Sequence, residues 1–356
     1  MKITVISGCL YPSSEQFYGS EHMSANLADG LGQIGHNVVL FAPPQSQRGK
    51  YKLIHVPCTY GKILYQAESI PYDEYRQLLL DSDVIFDRSP TMVTAEQLWF
   101  FEDRDWVERR VIGYSSGGWS GPRPPVRSKL HFIAVSNIHK QHGIESGLKP
   151  EQISVIPYGI DTELYSPDYA SKGDSGPALY LGAPRLEKGI ITILDIAECL
   201  PEQNFILAWH VFSDVHREAD RKFKEELARR KLPNVRYQEL SEGRKGLEEK
   251  VKLYQRAKCF LQPSAKEYKE FLGLTTLEAL SCGTPVIREC WGSSPEIIQQ
   301  GVHGFLCNEL NDYVEAIKKV AKIDPRECRR LIERRYYKRR YATDHLKLWR
   351  TLSEPR

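Results

Sequence analysis

The sequence contains no Cys-x-x-Cys pair, and its eight cysteines (Cys9, Cys58, Cys199, Cys259, Cys282, Cys290, Cys307, Cys328) are scattered, mostly inside apolar segments. That excludes a disulfide framework and a cysteine zinc centre, and it reads as reduced core thiols of a cytosolic protein. Long apolar runs are missing too. The N-terminal stretch Ile3 to Ile6 stops at Ser7-Gly8, far short of a signal peptide or of the roughly 20 residues of a membrane span. No G-x-G-x-x-G follows that first stretch, which argues against a nicotinamide-dependent dehydrogenase. No Asp-x-Asp stands at a strand end, so a divalent metal held in that way is not expected. An excess of charge of one sign is nearly absent as well: 49 Lys and Arg face 46 Asp and Glu, for a net +3.

What is present is an ordinary globular composition, 41% hydrophobic and 27% charged over 356 residues, long enough for two domains and too long for one ordinary core. The small positive excess is concentrated in 326–350, with Arg329, Arg330, Arg334, Arg335, Lys338, Arg339 and Arg340. This is either a solvated helix face or a patch for an anionic membrane surface or acceptor.

Short β-branched runs alternate with segments of helical periodicity throughout. Lys2 to Ser7 reads as a strand, Ser20 to Leu31 as a helix through Met23, Leu27 and Leu31, and Asn37 to Phe41 as the next strand. This βαβ order implies a parallel sheet. Further strands are expected at 83–86, 110–113, 131–136 and 153–156, with a long Gly/Pro-rich loop over 114–128. Irregular sequence from Pro157 to Gly176 suggests a linker. Strands at 178–181, 205–208, 235–237, 259–262 and 285–287 then alternate with helices at 189–200, 216–231, 247–256 and 275–281. The expected fold is α/β, with two Rossmann-like doubly wound domains facing each other across a cleft.

The segment richest in chemistry runs from Pro263-Ser264 through Glu270, Gly273 and Glu278 to Gly283-Thr-Pro285. Gly273 opens a turn before a helix whose first amides, around Leu274 to Leu277, are expected to lack internal partners and to suit an anion such as a diphosphate. Glu278, one turn into that helix, is placed for ribose hydroxyls, and Glu270, in the loop before it, for sugar hydroxyls. Alone, two acids around a Gly turn are commonplace.

This run resembles the E-x7-E signature of glycosyltransferase family 4, retaining enzymes of GT-B fold, and other segments match in order. Ile156-Pro-Tyr-Gly-Ile-Asp161 with Tyr165 and Pro167 resembles the family's interdomain segment. Gly292-Ser-Ser-Pro-Glu296 with Gly301 to Phe305 resembles its closing segment. Gly19-Ser-Glu21 with Leu27, Leu31, Gly35 and His36 resembles its N-terminal one.

The resemblance implies an N-terminal acceptor-binding domain over 1–165, a C-terminal donor-binding domain over 166–335, and a helix over 336–356 crossing back to the first. It implies that Lys188 neutralises the donor diphosphate. Glu278 would bind the ribose, Glu270 with the amides of Gly273 and Leu274 would hold the sugar and phosphate, and Glu296 would support them. Arg185 stands two positions from the family's arginine, where Ala183 is found; it either reaches the phosphate or is a surface charge. Glu296 read alone is a helix N-terminal acid. Tyr237 either meets the base or packs in a core. In the N-terminal half, Gly19 would allow backbone approach to a ligand. Glu21, Tyr114 and Trp119, with the tyrosines at 60, 65, 72 and 75, would lie on the acceptor side. The family's His-Asp pair has no counterpart after 110–113.

The function expected is transfer of a hexose-type sugar from a nucleotide diphosphate-sugar to a glycan, lipid-linked or small-molecule acceptor. It would need no cofactor, metal or nucleic-acid partner, and the protein would be cytoplasmic, with peripheral membrane contact through the basic helix as an option. The alternative is a non-catalytic nucleotide-sugar-binding protein or partner subunit. A non-hydrolysing epimerase shares the architecture but is disfavoured by the E-x7-E run.

Overall fold

The computed structural model describes residues 1–8, 19–44, 46, 49–56, 70–114, 125–211, 214–241, 243–268 and 270–354. The chain forms two compact units, one made of Met1–Gly159 with Tyr337–Arg356 and the other of Ile160–Tyr336.

Unit 1 runs β1 (Lys2–Ile6), α1 (Gly19–Gln33), β2 (Asn37–Ala42), β3 (Lys52–His55), α2 (Tyr72–Leu80), β4 (Val84–Asp87), α3 (Val93–Phe101), α4 (Arg104–Arg110), β5 (Val111–Tyr114), β6 (His131–Ala134), α5 (Asn137–Glu145) and β7 (Ile153–Val155). Its seven strands are parallel in the order β3-β2-β1-β4-β5-β6-β7. Alternation along the strands feeds two cores. Val5, Val38, Leu40, Phe86 and Ile112 point to one face, and Ile6, Phe41, Ile85, Val111 and Phe132 to the other. The order reverses between β1 and β4, the kind of point where α/β sheets open a crevice at their carboxyl ends.

Unit 2 runs β8 (Ala178–Leu181), α6 (Ile190–Cys199), β9 (Phe205–Trp209), α7 (Asp214–Arg230), β10 (Val235–Glu239), α8 (Gly243–Arg256), β11 (Cys259–Gln262), α9 (Leu274–Ser281), β12 (Val286–Glu289), α10 (Ser294–Ile297), β13 (Gly304–Cys307), α11 (Leu310–Lys319) and α12 (Pro325–Arg335). Its six parallel strands lie in the order β10-β9-β8-β11-β12-β13, reversing between β8 and β11.

The unit boundary falls earlier than the domain limit of 165/166 read from the sequence, because 160–165 is built into unit 2. The Ile160 amide donates to the Tyr336 carbonyl at 2.6 Å, Tyr165 is fully buried, and Arg329 donates to the carbonyls of Thr162 and Tyr165. The last helix, α13 (Lys338–Ser353), belongs to unit 1. Tyr341, Ala342 and Leu346 complete the core beside Ala28 and Leu31 of α1, and Lys338 pairs with Asp29 at 2.7 Å.

The basic stretch is therefore largely occupied. Arg340 holds the carbonyls of Pro157 and Tyr158, Arg330 pairs with Glu327, and Arg334, Arg335 and Arg339 remain exposed. No helix of the described residues is long and apolar enough to cross a membrane. Of the described cysteines, Cys259, Cys282, Cys307 and Cys328 are buried, and burial pushes their thiols up to about 12.

Burial also sets how unit 1 responds to acid. His345 of α13 is fully buried against Phe86, Tyr114 and Tyr341. Burial pulls its imidazole from 6.5 down to about 3, outweighing the bond to the Tyr341 carbonyl, and the nearby Arg88 charge adds to the fall. The unfolded chain therefore binds the extra proton between those values, so stability falls as pH falls through that window. Asp87, pushed up to about 6 by burial, works in the opposite sense over the upper part of it. Replacing His345 by leucine should reduce the slope of unfolding free energy against pH by up to about 1.4 kcal/mol per pH unit between about pH 6 and 4. Urea titrations at stepped pH measure it, and an unchanged slope would mean that the imidazole ionises in the folded state.

Candidate functional site

The loops that leave β8 and β11, the adjacent strands at the reversal of the unit 2 sheet, meet at their carboxyl ends. The first is a single helical turn, Leu186–Lys188, closed by Gly189 at φ +79°. The second descends from Gln262 to Gly273, at φ +81°, where α9 starts. A backbone bond from the Ala265 amide to the Glu187 carbonyl, 2.8 Å, ties the loops together.

This junction brings Lys188 within 3.3 Å of Glu270, with both side chains less than a fifth exposed. Burial alone would push the ammonium down, but the Glu270 carboxylate, with Tyr268 and Tyr180 beyond it, holds Lys188 above the ordinary lysine value. Burial likewise acts to raise Glu270, and the charges of Lys188 and Arg288 overcome it and leave the carboxyl below its usual range. Both groups are ionised at neutral pH.

Behind them runs a chain of polar contacts. Gln262 donates to Glu270 at 3.0 Å and accepts from the Thr276 hydroxyl at 3.1 Å. Thr276 accepts from Arg288, which also pairs with Glu289 at 2.8 Å in full burial. Glu289 in turn accepts from the Ser264 amide and the Ser294 hydroxyl. Ser293, through its amide and hydroxyl, holds the Glu270 carbonyl. Along α9, Thr276 and Leu277 bond back to the Gly273 carbonyl, while the amides of Leu274 and Thr275 take no backbone partner. Two helix N-terminal donors without a backbone partner among the described residues thus follow the loop whose Glu270 holds the ammonium, an arrangement suited to a polyanion.

The other residues singled out from sequence fall in different places. Glu278 is buried, and its carboxylate accepts from Lys250 at 2.7 Å and from the Tyr254 hydroxyl at 2.9 Å. Arg185 is 41% exposed, pairs with Glu187 at 3.6 Å, and lies close enough for its charge to be felt at His216, as is that of Lys188. Glu296 is half-buried in the first turn of α10. The ring of Tyr237 packs on Trp209 at 4.7 Å and under Lys224 at 4.5 Å, so packing takes up the aromatic.

Gly19 opens α1. The side chain of Glu21 lies outside what is described, as do Trp119, Tyr60, Tyr65 and most of the loop 114–128. Tyr114 is 2% exposed, so its ring has no face open for stacking on a sugar. Tyr72 and Tyr75 pack against Phe101 and Phe41.

Sequence reading missed Gln262, Thr276, Arg288, Glu289 and Lys250. For two of them a signal was present, since Arg288-Glu289 ends an otherwise apolar strand, and a charged pair inside a buried parallel strand calls for a partner network.

Gly189 is the hinge of this geometry. A Cβ there would sit 2.0 Å from the Pro263 carbonyl oxygen, in a backbone conformation side chains seldom adopt. Gly189→Ala should destabilise unit 2 by at least about 1–3 kcal/mol and displace Lys188. Urea unfolding gives the first effect, and an unchanged midpoint would show that the turn has room to relax.

Comparison with known proteins follows the same outline. The model of the family described as glycosyl transferases group 1 matches residues 161–338. A D-inositol 3-phosphate glycosyltransferase from Mycolicibacterium smegmatis is 34% identical over 80 residues, which is 22% of this chain and 18% of that protein. The match therefore spans less than a fifth of the relative. A sucrose-phosphate synthase from Thermosynechococcus elongatus has the same fold, with a TM-score of 0.78 at 17% identity over 99% of this chain and 98% of that one. So does Anabaena HepE, solved with UDP and glucose, with a TM-score of 0.75 at 16% identity over 99% of this chain and 100% of that one. With its two parallel doubly wound sheets, the chain has the GT-B fold, and it belongs to the glycosyl transferases group 1 family.

Proposed function

We propose that this chain is a retaining glycosyltransferase that moves a hexose-type sugar from a nucleotide diphosphate-sugar to a glycan, lipid-linked or small-molecule acceptor, in the cytoplasm and without a metal. The observation that carries this reading is the Lys188 ammonium at 3.3 Å from Glu270, in the loop that leads into the amides of Leu274 and Thr275, which have no backbone partner among the described residues. A diphosphate seated there would compete with Glu270 for the ammonium and accept from both amides. One such contact at about 4 Å, with an effective dielectric constant near 20, contributes up to about 4 kcal/mol before desolvation.

Glu270, kept ionised by Lys188 and Arg288, is suited to accept from sugar hydroxyls and unsuited to act as a proton donor. A double displacement needs a close pair of free carboxylates, and Glu278 is instead engaged by Lys250 and Tyr254. Front-face attack fits better. The acceptor oxygen bonds to the anomeric carbon, the bond from that carbon to the β-phosphate oxygen breaks on the same face, and the acceptor proton passes to the departing phosphate. In this scheme the protein contributes position and fixed charge. Glu278 would meet the ribose through the lone pairs that Lys250 and Tyr254 leave. UDP and glucose, with which HepE was solved, are consistent with such a donor.

A thermal-shift panel of UDP, GDP, ADP and their sugar conjugates, with and without EDTA, tests the reading. One nucleotide family at about 100 times its Kd should add roughly 2.7 kcal/mol and raise the midpoint by several degrees regardless of EDTA. With the donor identified, Lys188→Ala should lower kcat by roughly 10²–10³-fold. Stabilisation by nucleotide without transfer or donor hydrolysis would instead assign a non-catalytic nucleotide-sugar-binding role.

A further inference from the structure

Unit 1 has its own sheet reversal, between β1 and β4, and the first residue after β4 is Arg88. It is 3% exposed. Its Nε donates to the Ser24 hydroxyl of α1 at 3.1 Å, and its Nη1 to the Tyr341 hydroxyl of α13 at 2.9 Å. The guanidinium lies 4.1 Å from the centroid of the Tyr114 ring, at the end of β5. Among the described residues no carboxylate pairs with it, and two of its five N–H groups have partners. The adjacent Asp87 is turned elsewhere, one oxygen accepting from the amide and hydroxyl of Ser89 and the other from the Ala95 amide. The Tyr114 hydroxyl, also buried, has no partner among the described residues.

Other arginines of this chain show what a purely structural one looks like. Arg288, fully buried, is paired with Glu289 and bonded to Thr276. Arg329 pairs with Glu333 and donates to the carbonyls of Thr162, Tyr165 and Ser281. Their charges are opposed or their donors used. At Arg88 neither holds, although an uncompensated buried cation costs several kcal/mol. A planar fork with three spare N–H groups, at the carboxyl ends of the strands where such sheets hold ligands, matches an oxyanion.

We propose that Arg88 is an anion-recognition residue of unit 1, and that it binds a phosphate monoester carried by the acceptor, with the Tyr114 hydroxyl as a second donor. That the phosphate belongs to an acceptor rests on the transferase reading; the binding of phosphate at Arg88 does not. A doubly charged tetrahedral group supplies more acceptor sites than a carboxylate and would use the spare donors and the hydroxyl together.

Calorimetric titration of the full chain with inorganic phosphate, at constant ionic strength, tests it in a Lys188→Ala background that removes the cation of unit 2. Saturable binding should persist in Lys188→Ala, disappear when Arg88→Met is added, and weaken roughly tenfold with Arg88→Lys, which keeps the charge but not the fork. Acetate should bind at least about tenfold more weakly than phosphate. Circular dichroism checks folding, and should the methionine variant not fold, the lysine variant decides. The assignment is overturned if Lys188→Ala abolishes phosphate binding, if the Arg88 variants bind as tightly as their parent, or if acetate binds as well as phosphate. Nucleotide stabilisation of Arg88→Lys alone should match the unmodified chain; its absence in both would count against the donor reading and leave the phosphate result standing.

Discussion

The buried ion pair of Lys188 and Glu270 joins loops from two strands that are neighbours in space but about 80 residues apart in sequence, and the polar network of unit 2 is arranged around it. Neither charge would be tolerated there alone. Each keeps the other ionised against burial, and the second line of Gln262, Thr276, Arg288 and Glu289 fixes the carboxylate from behind. The site is thus preorganised by charges that must be matched before any ligand arrives. An incoming anion exchanges one counter-charge for another and does not bring a cation out of water, which lowers the reorganisation needed.

Much of the fold was legible because parallel strands buried on both faces write themselves as short β-branched runs. The strands Ala178–Leu181 and Cys259–Gln262 coincide with the segments expected. Strands β3 and β13 were not anticipated. Lys52–His55 carries a polar residue at both ends on a sheet edge, and Gly304–Cys307 begins with a glycine, so neither offers a full apolar run. The helix α3 was hidden similarly: its apolar residues are spread around it and form no periodic stripe to detect.

The site was legible only in part, and the division is physical. Lys188, Glu270 and Gly273 lie in motifs whose spacing is fixed by local turns. Their partners Gln262, Thr276 and Arg288 come together through strand register, Gln262 lying opposite Arg288 across β11 and β12, which no local pattern encodes. Glu278 is expected one turn inside a helix, where it is found, but Lys250 and Tyr254 reach it from a different helix. From sequence, Tyr237 is open between the base and a core, and Tyr114 lies on the acceptor side; in both, neighbours occupy the ring, because aromatic side chains serve cores as readily as ligands.

Unit 2 is one continuous stretch of chain, whereas unit 1 is split by it. Tyr341, Ala342 and Leu346 fill the core between α1 and the sheet, yet they are made only after the whole of unit 2 has been synthesised. During synthesis, then, the domain that begins first is completed last. Until α13 is made, the part of α1 that packs on Tyr341, Ala342 and Leu346 lacks that cover, although its contact with the sheet can already form. Completion of unit 1 is thus tied to the far end of the chain by where a single helix returns.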